Sequence, residues 1–206
     1  MITIVDYGMG NLRSVAKGFE RIGAKTRVTQ KAQEIDSAEK LVLPGVGAFE
    51  DAVRNLESLR LTESILKFID GGRPFLGICL GLQLLFAESE EGGLHKGFGV
   101  FPGRVIRFPD NSLKIPHIGW NRVKQTHCPE GKRGCPLLEG ITDGSYFYFV
   151  HSYYADPADQ TVVAAKTEYG IPFTSMIWKE NMYATQFHPE KSQTLGLKVL
   201  ENFARV

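Results

Sequence analysis

Charge of either sign is scarcely in excess in this chain: 24 Lys and Arg stand against 23 Asp and Glu over 206 residues, a formal net charge of +1. That balance gives no electrostatic reason to expect nucleic acid or an anionic membrane as partner. No apolar run approaches the roughly 20 residues of a membrane span, and the opening MITIVDYGMG lacks the basic stretch and long apolar run of a secretory signal. Cysteine is scarce, with three residues. An odd number without an export signal suggests thiols in a reducing cytoplasm rather than a disulfide framework. His127, Cys128 and Cys135 cluster loosely but lack a fourth ligand at zinc-site spacing, so they read as an incidental loop. No metal or cofactor is expected. Repeats, low-complexity tracts and linkers are missing too, which favours one domain over residues 1–206. What is present is ordinary globular composition, 43% hydrophobic and 23% charged, in a chain long enough to bury about 70% of its unfolded surface.

The first half alternates short apolar runs with helical patterns. ITIVDY, KTRVTQ, KLVLPG and PFLGIC read as strands, with helices near Leu12 to Ile22, 48 to 59 and 62 to 70, the last stopped by Gly71 and Gly72. Such alternation predicts βαβ units and a mainly parallel, doubly wound α/β sheet flanked by helices. The second half turns to strand after strand: FGVFPGRVIRF, KIPHIGWNRV, SYFYFVHSYYA, TVVAAKT and FTSMIWKENMYATQFH, an added antiparallel portion with ENM as a hairpin turn. A final helix, LGLKVLENFARV, places Leu197, Leu200, Phe203 and Ala204 on one face. Residues 125 to 137 are the best candidate for an exposed loop.

Chemistry concentrates in RPFLGICLGLQLLF, where Gly77 and Gly81 bracket Cys79. A strand interior normally avoids glycine. A strand end followed by a helix, here LGLQLLFAES, is the setting of a nucleophile elbow, whose small neighbours permit a strained turn. A helix N-terminus there would favour thiolate. The pentapeptide alone equally allows a small buried hydrophobe. A thiolate nucleophile needs a base and the base an orienting acid. QFHPEKS offers His188 and Glu190, whose i, i+2 spacing in an extended segment puts both on one face, although a His-Pro-Glu tripeptide by itself also suits a surface turn. An oxyanion hole would take the backbone N–H of Leu80 and one from VLPGVGAF, whose glycines flank Val46, unless these only form a turn.

Other features carry less. Gly8 and Gly10 begin a dinucleotide-like pattern that Arg13 breaks, and GGLHKGFGVFPG leads into a strand rather than a helix. His95 and His117 carry no signal of their own. The aromatic run SYFYFVHSYYA suits a core strand, with its polar His151 and Ser152 available to line a pocket.

FLGICLGLQLLF together with FHPEKS resembles the class I glutamine amidotransferase family. IVDYGMGNLRSV, PGVGAFEDA, KIPHIGWN and FYFVHSYYA narrow the resemblance to its branch of glutaminase subunits of imidazole glycerol phosphate synthase, in register from residue 2 to about 203. The resemblance implies a flavodoxin-like fold and a triad of Cys79, His188 and Glu190. It also implies an oxyanion hole at Val46, Gly47 and Leu80, and glutamine held by Gly47, Gln83 and the backbone of His151, Ser152 and Tyr153. Asn11, Trp120, Tyr148 and Lys191 match positions near a partner interface. The implied partner is a (β/α)₈ cyclase subunit that receives ammonia and makes imidazole glycerol phosphate and AICAR in histidine biosynthesis. Two rivals remain: a stand-alone cysteine hydrolase or glutaminase of another synthase, opposed by PGVGAF and KIPHIGWN, and an idle scaffolding subunit, opposed by retention of the three triad residues.

Overall fold

The computed structural model describes residues 1–109, 113–126 and 134–206. Its first part runs β1 (Ile2–Val5), α1 (Leu12–Arg21), β2 (Thr26–Thr29), α2 (Ala32–Asp36), β3 (Lys40–Gly45), α3 (Phe49–Ser58), α4 (Thr62–Asp70) and β4 (Phe75–Cys79). A single turn, α5 (Leu80–Gln83), leads to β5 (Phe86–Ser89), β6 (His95–Lys96), β7 (Phe101–Arg107), β8 (His117–Gln125), β9 (Ser145–His151) and β10 (Tyr153–Pro157). The chain ends with β11 (Val163–Tyr169), β12 (Ile171–Lys179), β13 (Met182–Thr185) and α6 (Gln193–Arg205).

Nine strands form one sheet in the order β2-β1-β3-β4-β13-β12-β11-β8-β9. From β2 to β13 neighbours pair parallel, and from β13 to β9 they pair antiparallel. A smaller sheet, β10-β7-β5-β6, lies beside it. The period-two alternation of buried strands divides the core. Leu41, Leu43 and Phe75 pack with Phe49, Leu56, Ile65 and Phe68 of α3 and α4. Ile2, Ile4, Val42, Leu76 and Ile78 pack with Val15, Phe19, Val199, Leu200 and Phe203 of α1 and α6 on the other face. The sheet is therefore wound on both sides, as the alternating sequence predicts. Among the described residues no helix is long and apolar enough to cross a membrane.

Two expectations need correction. The helix expected over LGLQLLFAES stops at Gln83, and Phe86–Ser89 is a strand. LLF is buried on all sides, and a short run buried throughout has no periodicity to distinguish helix from strand. On α6, Leu200 and Phe203 are buried with Gly196, Val199 and Asn202, and Leu197 and Ala204, partly buried, pack against the same cluster, as the sequence predicts. In the segment expected as an exposed loop, Cys135 and Leu137 are buried, and residues 127–133, with His127 and Cys128, lie outside the described residues.

Candidate active site

Strand β4 ends at Cys79, whose φ of 54° and ψ of −103° place it in a region that costs a non-glycine residue strain, and α5 starts at the next residue. The flanking glycines make this bend possible by close approach. A Cβ on Gly77 would sit 2.6 Å from the Gly81 carbonyl oxygen, and one on Gly81 would sit 1.9 Å from the carbonyl oxygen of Leu43 on β3. The elbow thus folds its own backbone together and presses it on the neighbouring strand. Because α5 has four residues, little helix dipole stands behind the sulfur, and the help expected from a full helix is small.

The charge partner comes from β13, which runs parallel to β4 with Thr185 opposite Ile78 and so ends beside the elbow. His188 follows in extended conformation, as a residue before proline prefers. Its Nδ1 donates to Glu190 Oε1 at 2.8 Å, both side chains being 1% exposed. That bond occupies Nδ1 and leaves Nε2 buried and, among the described residues, without a hydrogen-bond partner. Burial opposes an imidazolium here, but the charge and nearness of Cys79, joined by Glu190, push His188 up to about 10. The backbone of His188 is held as well: its N–H donates to the Tyr148 carbonyl at 2.9 Å, and Ser192 Oγ donates to its carbonyl at 2.7 Å.

In front of the sulfur lies a cavity of about 240 Å³. This is smaller than the roughly 300 Å³ and upward of a drug-sized site, and it suits one amino acid. Val46, Gly47, Cys79, Leu80, Gln83, His151, Ser152 and Tyr153 all line it. Gly47 has φ 110°, which an L side chain rarely adopts, so the loop after β3 depends on glycine there. Gln83 Nε2 donates to the Tyr153 carbonyl at 2.9 Å.

Several residues at the site escaped sequence reasoning. Glu91 also lines the cavity, and its Oε2 accepts from the Phe49 N–H at 2.9 Å. Gln186, buried beneath the elbow, bonds both Gln83 and Cys79. His117 pairs with His151 at 3.0 Å across β8 and β9. Asn121 Nδ2 donates to His117 Nε2 at 3.2 Å, so His117 donates through Nδ1 to His151 Nε2. His151 Nδ1 then donates to the Tyr153 carbonyl at 2.8 Å. Both rings are neutral: burial lowers His117 to about 4, and burial, outweighing the Tyr153 hydrogen bond, lowers His151 to about 3. Only the cross-strand register, which no local motif encodes, brings the two together.

Trp120 and Tyr148, opposite each other on β8 and β9, meet edge to face at 6.1 Å. Lys191 Nζ lies 5.8 Å from the Tyr148 ring centre. Ile118, Trp120 and Tyr146 are 57%, 45% and 48% exposed, an apolar face on the side of these strands away from the core. Asn11 stands apart from that cluster in its bonding: its Oδ1 accepts from the Ser14 N–H and caps α1. Among the described residues no group of three or more His, Cys, Asp or Glu could hold a metal ion.

The family described as glutamine amidotransferase class-I matches residues 3–206. The imidazole glycerol phosphate synthase subunit HisH of Syntrophotalea carbinolica is 53% identical over 209 residues, covering 98% of each chain. That of Methanocaldococcus jannaschii is 50% identical over 206 residues, covering 100% of each. A solved structure of a glutamine amidotransferase aligns over the whole of both chains with a TM-score of 0.75 at 17% identity, a likeness of fold alone. The chain belongs to the class I glutamine amidotransferase family and, within it, to the HisH subunits of imidazole glycerol phosphate synthase.

Proposed function

We propose that residues 1–206 act as one glutaminase unit that hydrolyses glutamine to glutamate and ammonia. The ammonia passes to a (β/α)₈ cyclase subunit, which uses it to make imidazole glycerol phosphate and AICAR in histidine biosynthesis. The observation that carries this reading is the buried Cys79, His188 and Glu190 arrangement behind a cavity of amino-acid size.

In the proposed reaction Sγ of Cys79 attacks the side-chain amide carbon of glutamine, and the carbonyl electron pair moves onto oxygen. The N–H groups of Leu80 and of the Val46–Gly47 segment receive that oxyanion; losing one such donor costs about 3 to 4 kcal/mol. His188 Nε2 gives its proton to the amide nitrogen, the C–N bond breaks, and ammonia leaves a glutamyl thioester. Water then loses a proton to His188 and attacks the thioester carbon, releasing glutamate and restoring the sulfur. Gly47, Gln83 and the backbone of His151, Ser152 and Tyr153 hold the amino-acid end, and the Glu91 carboxylate at the cavity suits its ammonium group.

The partner docks on the face carrying Trp120, Tyr148 and Lys191, and Asn11, which caps α1, is assigned to the interface by the family resemblance alone. Two observations support this. Exposed apolar side chains set together mark interaction surfaces, and the backbone of Tyr148 bonds directly to that of His188, so this face stands one residue from the base. Handing ammonia across an interface keeps it from becoming ammonium, which has no lone pair to attack with. The assay is glutamate release with and without the cyclase subunit and its nucleotide substrate. Release abolished by Cys79→Ala and stimulated by the cyclase is expected; release untouched by Cys79→Ala would overturn the mechanism.

A further inference from the structure

Burying an amide costs free energy unless its groups are bonded, and an ordinary core position takes an apolar side chain instead. Gln186 is 0% exposed, two residues before His188, and nothing in the reaction above uses it. Its orientation follows from its neighbours. The Tyr153 carbonyl can only accept, so the Gln83 atom 2.9 Å from it is Nε2. The second N–H of that nitrogen meets Gln186 at 3.2 Å, and only an oxygen suits it there, which makes that atom Oε1. The remaining end of Gln186 is then Nε2, and it lies 3.5 Å from Sγ of Cys79. The flipped amide would set donor against donor at Gln83 and oxygen against sulfur at Cys79.

We propose that Gln186 is a further residue of the hydrolytic site: Gln83 locks its amide so that Nε2 donates a hydrogen bond to Sγ, which fixes where the sulfur points and steadies its negative charge. The proposal rests on Cys79 being the nucleophile. Sγ carries negative charge before attack and again as it departs from the thioester carbon, so one donor serves both steps. Unlike His188, an amide gains and loses no proton during the cycle, and its contribution is constant. The bond also ties the sulfur to the substrate wall, because the Tyr153 carbonyl that receives Gln83 receives His151 Nδ1 as well.

The test compares wild-type full-length chain with Gln186→Met, which keeps length and loses the donor, and Gln186→Glu, which places an acceptor of the same shape at the sulfur. Alkylation of Cys79 by iodoacetamide is followed by peptide mass spectrometry, and glutaminase kinetics are measured in the complex with the cyclase subunit. A purely structural role would leave the alkylation rate of folded protein unchanged. The expected result is a fall of about tenfold or more in Cys79 alkylation and in kcat for Gln186→Met, larger for Gln186→Glu, with KM altered less than about threefold. Should Gln186→Met not fold, Gln186→Asn, too short to reach Sγ, carries the same expectation. Folded variants alkylated and turning over at wild-type rates would overturn the proposal. A wild-type Cys79 no more reactive than the other cysteines would instead overturn the assignment of the nucleophile beneath it.

Discussion

Three histidines are buried in the two halves of the sheet, His151 in the cavity wall, and the two halves treat them in opposite ways. In the parallel half, His188 is pushed up to about 10 because, against its burial, Cys79 and Glu190 face its two ring nitrogens. In the antiparallel half, His117 and His151 fall to about 4 and about 3, since burial meets no opposing charge and their nitrogens bond to one another, to an amide and to a carbonyl. Similar burial yields an ion on one side and a neutral clamp on the other. The parallel strands end at the elbow and bring reactive atoms there, while the antiparallel strands wall the cavity and turn an apolar face outward.

The sharpest way to break this division is Cys79→Ala. It should lower glutamate release by roughly 10⁴-fold or more, with binding of the cyclase in titration calorimetry unchanged; residual activity near wild type would move the chemistry elsewhere. Gly81→Ala attacks the frame of the parallel half, since its Cβ would fall 1.9 Å from the Leu43 carbonyl oxygen. A loss of about 3 kcal/mol in denaturant unfolding is expected, the upper part of the usual range for overpacking. On the antiparallel side, Trp120→Ala should weaken the complex by about 2 kcal/mol, the size of an interface hot spot, while turnover of the saturated complex falls far less.

The effects of pH have opposite signs in the two halves. The clamp histidines have folded values below the ordinary 6.5, so the unfolded chain binds protons that the folded one refuses. Their stability is full above about 6.5 and declines as pH falls toward 4 and 3, by up to about 1.4 kcal/mol per unit for each histidine. His117→Phe should flatten that slope in unfolding midpoints measured from pH 7 to 4. His188, raised, contributes fully below its ordinary value and loses that contribution as pH rises through about 10. An acid slope unaffected by His117→Phe would deny the clamp its neutral state.

How much of this could be read from the chain follows the same division. Elements of the parallel half are local: each strand, turn and helix has its own pattern, and Cys79 with its glycines and His188 with Pro189 and Glu190 are short motifs whose spacing states their geometry. Beyond the elbow the sequence predicts a longer helix than the structure has, because LLF, buried all round, suits strand as well as helix. The antiparallel half is held by partners far apart in sequence. His117 meets His151 through strand register alone, and no window around either residue contains its partner; even in the parallel half, Gln186 just past β13 meets Gln83 of α5 only because β13 lies beside β4. Glu91 was hidden for a similar reason, lying in a loop that only the second sheet brings to the cavity mouth.

In the proposed reaction one sulfur atom, Sγ of Cys79, becomes covalently joined to the side-chain carbonyl of glutamine. Acid quenching of the complex during turnover with isotopically labelled glutamine, followed by peptide mass spectrometry, tests it most directly. A labelled glutamyl group is expected on the peptide containing Cys79, lost on treatment with hydroxylamine and missing from Cys79→Ala. Turnover that continues with the label on another residue, or undiminished in Cys79→Ala, would contradict it.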